Sequence, residues 1–340
     1  YPVKKKKHMI VPIFVSHEGC PYRCSFCNQT KITGINTKAD EIMLKETLRT
    51  HFDGLDSNHL PEIREVAFFG GSFTGISSER QEYLLSLVQP WILSGQIQSI
   101  RVSTHALFID ETRLALLSQY NVETVELGIQ STDNDVLKLV GRECPFNVIL
   151  SAVYKIRKMG FRLGLQLMPG LPGDSEKKFR KSVKDVINLS PDFVRIYPTL
   201  VVKNTGLFDM YRQGTFTPWG LERMIEVVKE AVVQFERAGI PVIRVGLHPD
   251  QSLLKNYVDG PFHPSFRYLV DSRIARDQMI NMIRALKQIP SSVTFRVPSK
   301  KLSNFVGHKK ENLSIIKNIF GLESINVQQG AIMEHLGLVA

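Results

Sequence analysis

Cysteine is scarce: four occur in 340 residues, and three of them, Cys20, Cys24 and Cys27, share the stretch GCPYRCSFCNQ. No even set of spaced cysteines remains to build a disulfide framework, so the usage points to a reducing, cytoplasmic setting. Long apolar runs are missing too. None reaches the length that spans a bilayer, so no membrane partner is expected. The opening YPVKKKKHMIVPIFV has the basic-then-apolar order of a secretion signal. Its apolar part is too short, however, and meets the cysteines without a small-residue cleavage site, so it reads as a first β-strand. There is no internal repeat, and no low-complexity segment beyond the run Lys4–Lys7. Acidic residues are the scarcer sign, 33 against 43 Lys and Arg, which leaves a formal net charge of +10. Residues 251–340 carry twelve Lys and Arg against six Asp and Glu. A basic tail on a nearly balanced body suits a polyanionic partner, RNA first, or else a merely solvated basic surface.

What is present is a folded α/β pattern. Apolar residues make up 43%, enough for a proper core, and the length suits two domains or one large unit with an appendage. Candidate strands are Ile10–Val15, Glu65–Gly70, Ser99–Thr104, Thr124–Gln130, Arg162–Met168 and Phe193–Leu200, with a seventh at Pro241–Leu247. Between them lie amphipathic segments such as Glu41–Phe52, Ser78–Leu93, Phe146–Met159, Glu176–Leu189 and Leu221–Ala238. Such repeated βα units give a parallel sheet or barrel, with its chemistry at the C-terminal ends of the strands. The motifs sit there. The cysteines follow the first strand, Gly70-Gly71-Ser72 ends the second and Ser103-Thr104-His105 the third. Gln130 ends the fourth and Met168-Pro169-Gly170 the fifth. The expected domains are a barrel over 1–250 and a small basic α/β domain over 251–340.

Three thiolates can hold three irons of a cubane cluster and leave the fourth iron open to a small molecule. The competing reading is structural zinc with His17 or His8 as fourth ligand, although no second C-x2-C half is visible. The spacing C-x3-C-x2-C after a first strand, with an aromatic before the last cysteine, resembles the radical S-adenosylmethionine superfamily. The resemblance implies a partial (βα)6 barrel, a 4Fe–4S cluster on Cys20, Cys24 and Cys27, and S-adenosylmethionine on the open iron. It further implies reductive cleavage to a 5′-deoxyadenosyl radical, hydrogen abstraction from a substrate, and a low-potential donor such as flavodoxin or ferredoxin. Phe26 matches the position whose ring packs on adenine. FFGGSFTG matches the segment that receives the methionine amino group, through Gly70, Gly71 and Ser72, although many members carry an acidic residue where Ser72 stands. Ser103 falls at the next strand end. VELGIQSTDNDVLKLVGR matches the segment whose polar groups meet the ribose, with Glu126 and Gln130 on one face. A satisfied barrel carboxylate is the other reading of Glu126. GLQLMPGLPGD, with Gln166 and Met168, matches the turn that lines the pocket.

IVPIFVSHEGCPYRCSFCNQ, AFFGGSFTG, VELGIQS, MPGLPGD and VRIYPTLVVKNTGLFDMYRQGTFTPW together resemble the radical domain of the elongator catalytic subunit family, from about residue 5 to 250. That family modifies the wobble uridine of transfer RNA and uses acetyl-CoA at an appended acetyltransferase domain. Tyr197 and Lys203 match polar residues near its active site. The chain departs from it in two ways. Residues 251–340 hold no glycine-rich pyrophosphate loop, and the family's Arg-Pro-Asp reads His105-Ala106-Leu107 here. Whether acetyl-CoA is used therefore stays open.

The tail VTFRVPSKKLSNFVGHKKENLSIIKNIFGLESINVQ resembles a KH RNA-binding core in its βααβ order, with Gly307-His308-Lys309-Lys310 as the clamp turn. The second glycine of that turn is Lys310, and a plain α/β brace is the other reading. Arg267, Arg273 and Arg276 either face phosphate or lie solvated on a helix packed against the barrel. The expected function is a radical S-adenosylmethionine enzyme acting on RNA, transfer RNA first. The alternatives are a small-molecule enzyme of the same superfamily and a non-catalytic iron–sulfur RNA-binding sensor. The porphyrinogen-oxidising branch is disfavoured, because it carries a further cysteine where this chain has Gln29.

Overall fold

Seven of the apolar runs pair side by side in chain order. The computed structural model describes residues 8–34, 39–52, 61–330 and 337–339; the run Lys4–Lys7 lies outside them. Strands β1 (His8–Phe14), β2 (Ile63–Phe69), β3 (Ser99–Thr104), β4 (Val122–Gln130), β5 (Arg162–Leu167) and β6 (Phe193–Ile196) are all parallel. After the two-residue β7 (Val201–Val202), β8 (Val242–Val245) joins β6 as the outermost strand. Neighbouring parallel strands need a crossover, and right-handed crossovers put the helices on one face. The sheet curls into a half-barrel with helices outside, as the sequence led one to expect.

The helix on Glu176–Leu189 shows how local sequence sets these crossovers. The Ser175 hydroxyl accepts from the Lys178 N–H, and Phe179, Val183 and Val186 turn one stripe into the core. Ser190, in a left-handed conformation at φ 48°, ends the helix before Pro191. The main core lies between sheet and helices, built from residues such as Val66, Phe68, Val102, Leu127, Leu165 and Val194. The other face of the sheet, toward the barrel interior, is charged.

The helix Phe266–Arg284 belongs to both halves of the chain. Phe266 and Val270 enter the barrel core, whereas Ala275, Met279 and Ile283 enter a second core with Val293, Phe295, Phe305 and Ile316. After β9 (Tyr257–Asp259), which pairs antiparallel with β7, the tail folds as a three-stranded sheet. There β10 (Ser292–Val297) runs parallel to β11 (Ser324–Gln329) and antiparallel to β12 (Gly337–Val339). Two short helices, Leu302–Val306 and Glu311–Phe320, connect β10 to β11, which is the βααβ order read from the sequence. Arg267, Arg273 and Arg276 of this helix are each drawn to a carboxylate, and the helix packs on the barrel as expected. Arg273 reaches Glu222 at 2.7 Å and Glu226 at 2.8 Å, Arg267 reaches Asp271 at 2.8 Å, and Arg276 lies 3.9 Å from Glu226. Arg273 and Arg276 face the helix Leu221–Arg237, whereas Arg267 pairs within its own helix and donates to the Val242 carbonyl at 2.8 Å. Partly exposed pairs of this kind contribute about 0–1 kcal/mol each, so apolar burial carries most of the junction.

Candidate functional site

The loop after β1 is stitched to its neighbours mostly through backbone. The His17 N–H donates to the Gly70 carbonyl at 3.0 Å and the Ser72 N–H to the Glu18 carbonyl at 2.9 Å. The Ser25 N–H donates to Val140 at 2.9 Å, and the Leu207 N–H returns to Ser25 at 2.7 Å. Such close approach requires glycine. A Cβ on Gly71 would stand 2.5 Å from the carbonyl oxygens of both Val15 and Glu18. Gly71→Ala is therefore expected to displace the cysteine loop at a cost on the order of 1–3 kcal/mol. Gly220→Ala, where an added Cβ meets nothing within 4 Å, serves as control. Thermal unfolding together with iron loading checks this, and equal behaviour of the two variants would contradict the packing.

The three cysteines converge beside this loop. Cys20 Sγ lies 3.7 Å from Ser72 Oγ, and Cys24 is buried. Burial, reinforced by the neighbouring thiols, pushes Cys27 up to about 12, and burial also raises Cys20. Burial disfavours free thiolates here, a cost that coordination to a metal would offset. Among the described residues no three His, Cys, Asp or Glu side chains close on a single ion. Neither histidine completes a mononuclear site. Nε2 of His17 accepts the Gln29 N–H at 3.1 Å, and His8 pairs with Glu65 at 2.5 Å.

The surroundings fit a bound group. Ser25 Oγ, Ser103 Oγ, His105 Nε2, Gln130 Oε1 and Arg142 Nε are all buried with no hydrogen-bond partner among the described residues. Buried polar atoms are normally paired, and a polar group bound among these five would satisfy them. Arg142, which sequence reasoning passed over, donates Nη1 to Cys24 Sγ at 3.6 Å and Nη2 to the Gly128 carbonyl. Its only signal was the Gly-Arg that closes the β4 motif. Burial, together with the Arg142 charge, lowers His105 to about 3, so its ring is neutral. The Tyr22 ring lies 5.7 Å from it.

Other expected residues fall in several places. Phe26 and Met168 meet in one apolar patch with Val136, Val140 and Leu171. Asp174 accepts the Gly170 N–H at 2.9 Å and fixes the Met168-Pro169-Gly170 turn; burial raises its carboxyl to about 6. Gln130 departs from simple alternation, because a register shift and a φ of 65° fold its amide back over Gly128. A Cβ on Gly128 would come within 2.8 Å of that amide nitrogen, hence the glycine.

Glu126 is enclosed between two arginines. Its carboxylate is 0% exposed, 2.8 Å from Arg101 Nη1 and 2.7 Å from Arg195 Nε, with the Gln166 amide at 3.2 Å. Arg101 continues to Glu65 at 2.6 Å, so the barrel interior holds a chain of shared charges. Tyr197 joins it, its hydroxyl accepting from Arg195 at 3.3 Å. Lys203 is not brought in. It is exposed beyond β7, and its Nζ reaches only the Lys255 carbonyl at 3.5 Å.

Comparison with known proteins agrees with this geometry. The Radical SAM superfamily model matches residues 14–186, and the Radical SAM C-terminal domain model matches residues 191–276. The chain is 29% identical over 278 residues to the tRNA uridine(34) acetyltransferase of Methanocaldococcus jannaschii, covering 68% of this chain and 51% of that one. It is 21% identical over 223 residues to the heme chaperone HemW of Bacillus subtilis, covering 65% and 59%. The chain thus spans about half the length of the curated relatives it matches. Its fold superposes on the archaeal Elp3 of Methanocaldococcus infernus with a TM-score of 0.63, over 80% of this chain and 64% of that one, at 21% identity. With more than half of its length matched by the superfamily model, and three cysteines gathered at the mouth of a half-barrel, the chain belongs to the radical SAM superfamily.

Proposed function

We propose that this chain is a radical S-adenosylmethionine enzyme acting on RNA, transfer RNA first. The single observation that carries the reading is the meeting of Cys20, Cys24 and Cys27 with five orphaned buried polar atoms at one end of the barrel. Cys20, Cys24 and Cys27 would hold the 4Fe–4S cluster. Gly70, Gly71 and Ser72 would receive the methionine end of S-adenosylmethionine. Phe26 and Met168 would pack on its adenine, with Ser103 and Gln130 hydrogen-bonding between. When bound, the pair supplies a one-electron cleavage of the sulfonium that ends in hydrogen abstraction. The protein's own part is to hold the thiolates beside Arg142 and to shield the site behind Tyr22 and His105. It also presents the inner face of the barrel to the substrate. A flavodoxin or ferredoxin in the cytoplasm suits the electron supply. Among the described residues no helix is long and apolar enough to cross a membrane.

The basic tail supports the choice of RNA. Lys300, Lys301, His308, Lys309 and Lys310 lie on the two turns that flank the helix Leu302–Val306, and none has a carboxylate partner among the described residues. Lys310, standing where a KH clamp has its second glycine, adopts the left-handed conformation a glycine would take, at φ 64° and ψ 22°. Replacing Lys309 and Lys310 with Glu is expected to weaken transfer-RNA binding roughly tenfold or more and to make its salt dependence shallower by about 2. Anisotropy titrations at several salt concentrations read this out. S-adenosylmethionine cleavage should be unchanged, and unaltered RNA binding would detach the tail from the substrate. For the activity itself, anaerobically reconstituted protein given dithionite and S-adenosylmethionine should release 5′-deoxyadenosine. No product alongside intact RNA binding would instead indicate an iron–sulfur sensor.

A further inference from the structure

Charges on the inner face of the half-barrel do not cancel. Its two buried carboxylates are already taken, Glu65 by Arg101 and His8, Glu126 by Arg101 and Arg195. One more guanidinium stands beside them. The register pairs Arg244 of β8 with Arg195 of β6, so both side chains leave the sheet on the same face. Arg244 gives its Nε–H to the Gly246 carbonyl at 3.2 Å, and among the described residues it has no carboxylate partner. Its two terminal nitrogens have no hydrogen-bond partner among the described residues. Because β8 is the last strand of the sheet, this cation borders the open side of the half-barrel.

A half-buried cation next to a second one, with no protein anion to balance it, is unfavourable until an anion arrives. The planar fork of a guanidinium matches the paired oxygens of a phosphate. Tyr197 stands one strand away. Its hydroxyl accepts from Arg195, which leaves its own proton free to donate toward the same space. Gln166 is paired in register with Arg195 and completes a polar wall running from β5 to the open edge.

We propose that Arg244, assisted by the Tyr197 hydroxyl, receives a phosphate group of the substrate nucleotide inside the barrel. This rests on the reading of the barrel as the chamber for an RNA substrate and extends it. The tail would grip the strand at a distance, and Arg244 would seat the phosphate that flanks the reacting nucleoside.

The test uses reconstituted holoenzyme under anaerobic conditions. Uridine 5′-monophosphate, uridine, inorganic phosphate and transfer RNA are titrated against the wild type, Arg244→Gln and Tyr197→Phe. The wild type should bind the monophosphate more tightly than the nucleoside. Arg244→Gln should remove that preference, weakening the monophosphate roughly tenfold and leaving uridine unchanged, with Tyr197→Phe intermediate. Arg244→Lys, which keeps the charge without the fork, should recover part of the loss. No preference in the wild type, or an equal preference in Arg244→Gln, overturns the assignment. Competition separates the two readings. A phosphate preference that depends on Arg244 but does not yield to transfer RNA keeps the anion site and removes RNA as its source. Salt-sensitive transfer-RNA binding with no Arg244 dependence keeps RNA and removes the site.

Discussion

Cys24→Ala is expected to abolish cluster assembly, taking reconstituted iron from about four atoms per chain to near zero. Cys24 is the most enclosed of the three thiols, at 7% exposure, and the only one that receives an Arg142 N–H. Its carbonyl also accepts the Cys27 N–H at 2.9 Å, so the residue would position one ligand through its backbone while offering another from its side chain. Alanine keeps the first contribution and removes the second. The far-ultraviolet circular dichroism should therefore be unchanged while the charge-transfer absorbance disappears. Cys144→Ala is the matched control. Cys144 is as buried as Cys24 but packs in the apolar core between sheet and helices, and that variant should load iron normally. Full loading in Cys24→Ala, or equal loss in Cys144→Ala, would show that the ligand set has been misassigned.

The legibility of this chain divides along physical lines. Strand and helix positions came through because each crossover repeats a local pattern. β3 falls on the residues read for it, β1, β2, β4, β5, β6 and β8 shift by a few residues at their ends, and the short β7, β9 and β12 were not read. The cysteine loop stood out because its three cysteines lie close in sequence. What the sequence could not show was which charges meet. Arg101, Glu126 and Arg195 come from three strands, and only the curl of the sheet brings them together, so Glu126 read first as a ribose contact and only second as a paired carboxylate. The bulge that re-aims Gln130 is a backbone event that alternation cannot foresee. Lys203 looked like a neighbour of Tyr197 because both follow β6, but the ribbon of β7 and β9 carries it away from the barrel interior. The carboxylate partners of Arg273 and Arg276 were hidden because Glu222 and Glu226 lie far off in the chain.

The Glu126 network supplies the second large effect. Glu126→Ala would leave Arg195 with only the Tyr197 hydroxyl and Arg101 with only Glu65, inside a barrel where Glu126 itself has no exposure. Breaking a buried pair by removing one partner costs about 3–5 kcal/mol, because the remaining charge has neither water nor a counter-ion. For a chain of this size that corresponds to a fall in Tm on the order of 10 °C. The loss should come from the stranded guanidinium rather than from the missing carboxylate as such. The double variant Glu126→Gln with Arg195→Met should therefore unfold at a higher temperature than Glu126→Gln alone, since it removes both charges and keeps the volume. A direct role in holding ribose predicts the opposite signature, with Tm nearly unchanged in Glu126→Gln and a large loss of S-adenosylmethionine affinity that the second substitution cannot repair. Calorimetry on the cluster-free chain and ligand titration on the reconstituted one separate the two. The geometry, with both oxygens of Glu126 engaged by arginines, predicts that the effect appears in the calorimeter.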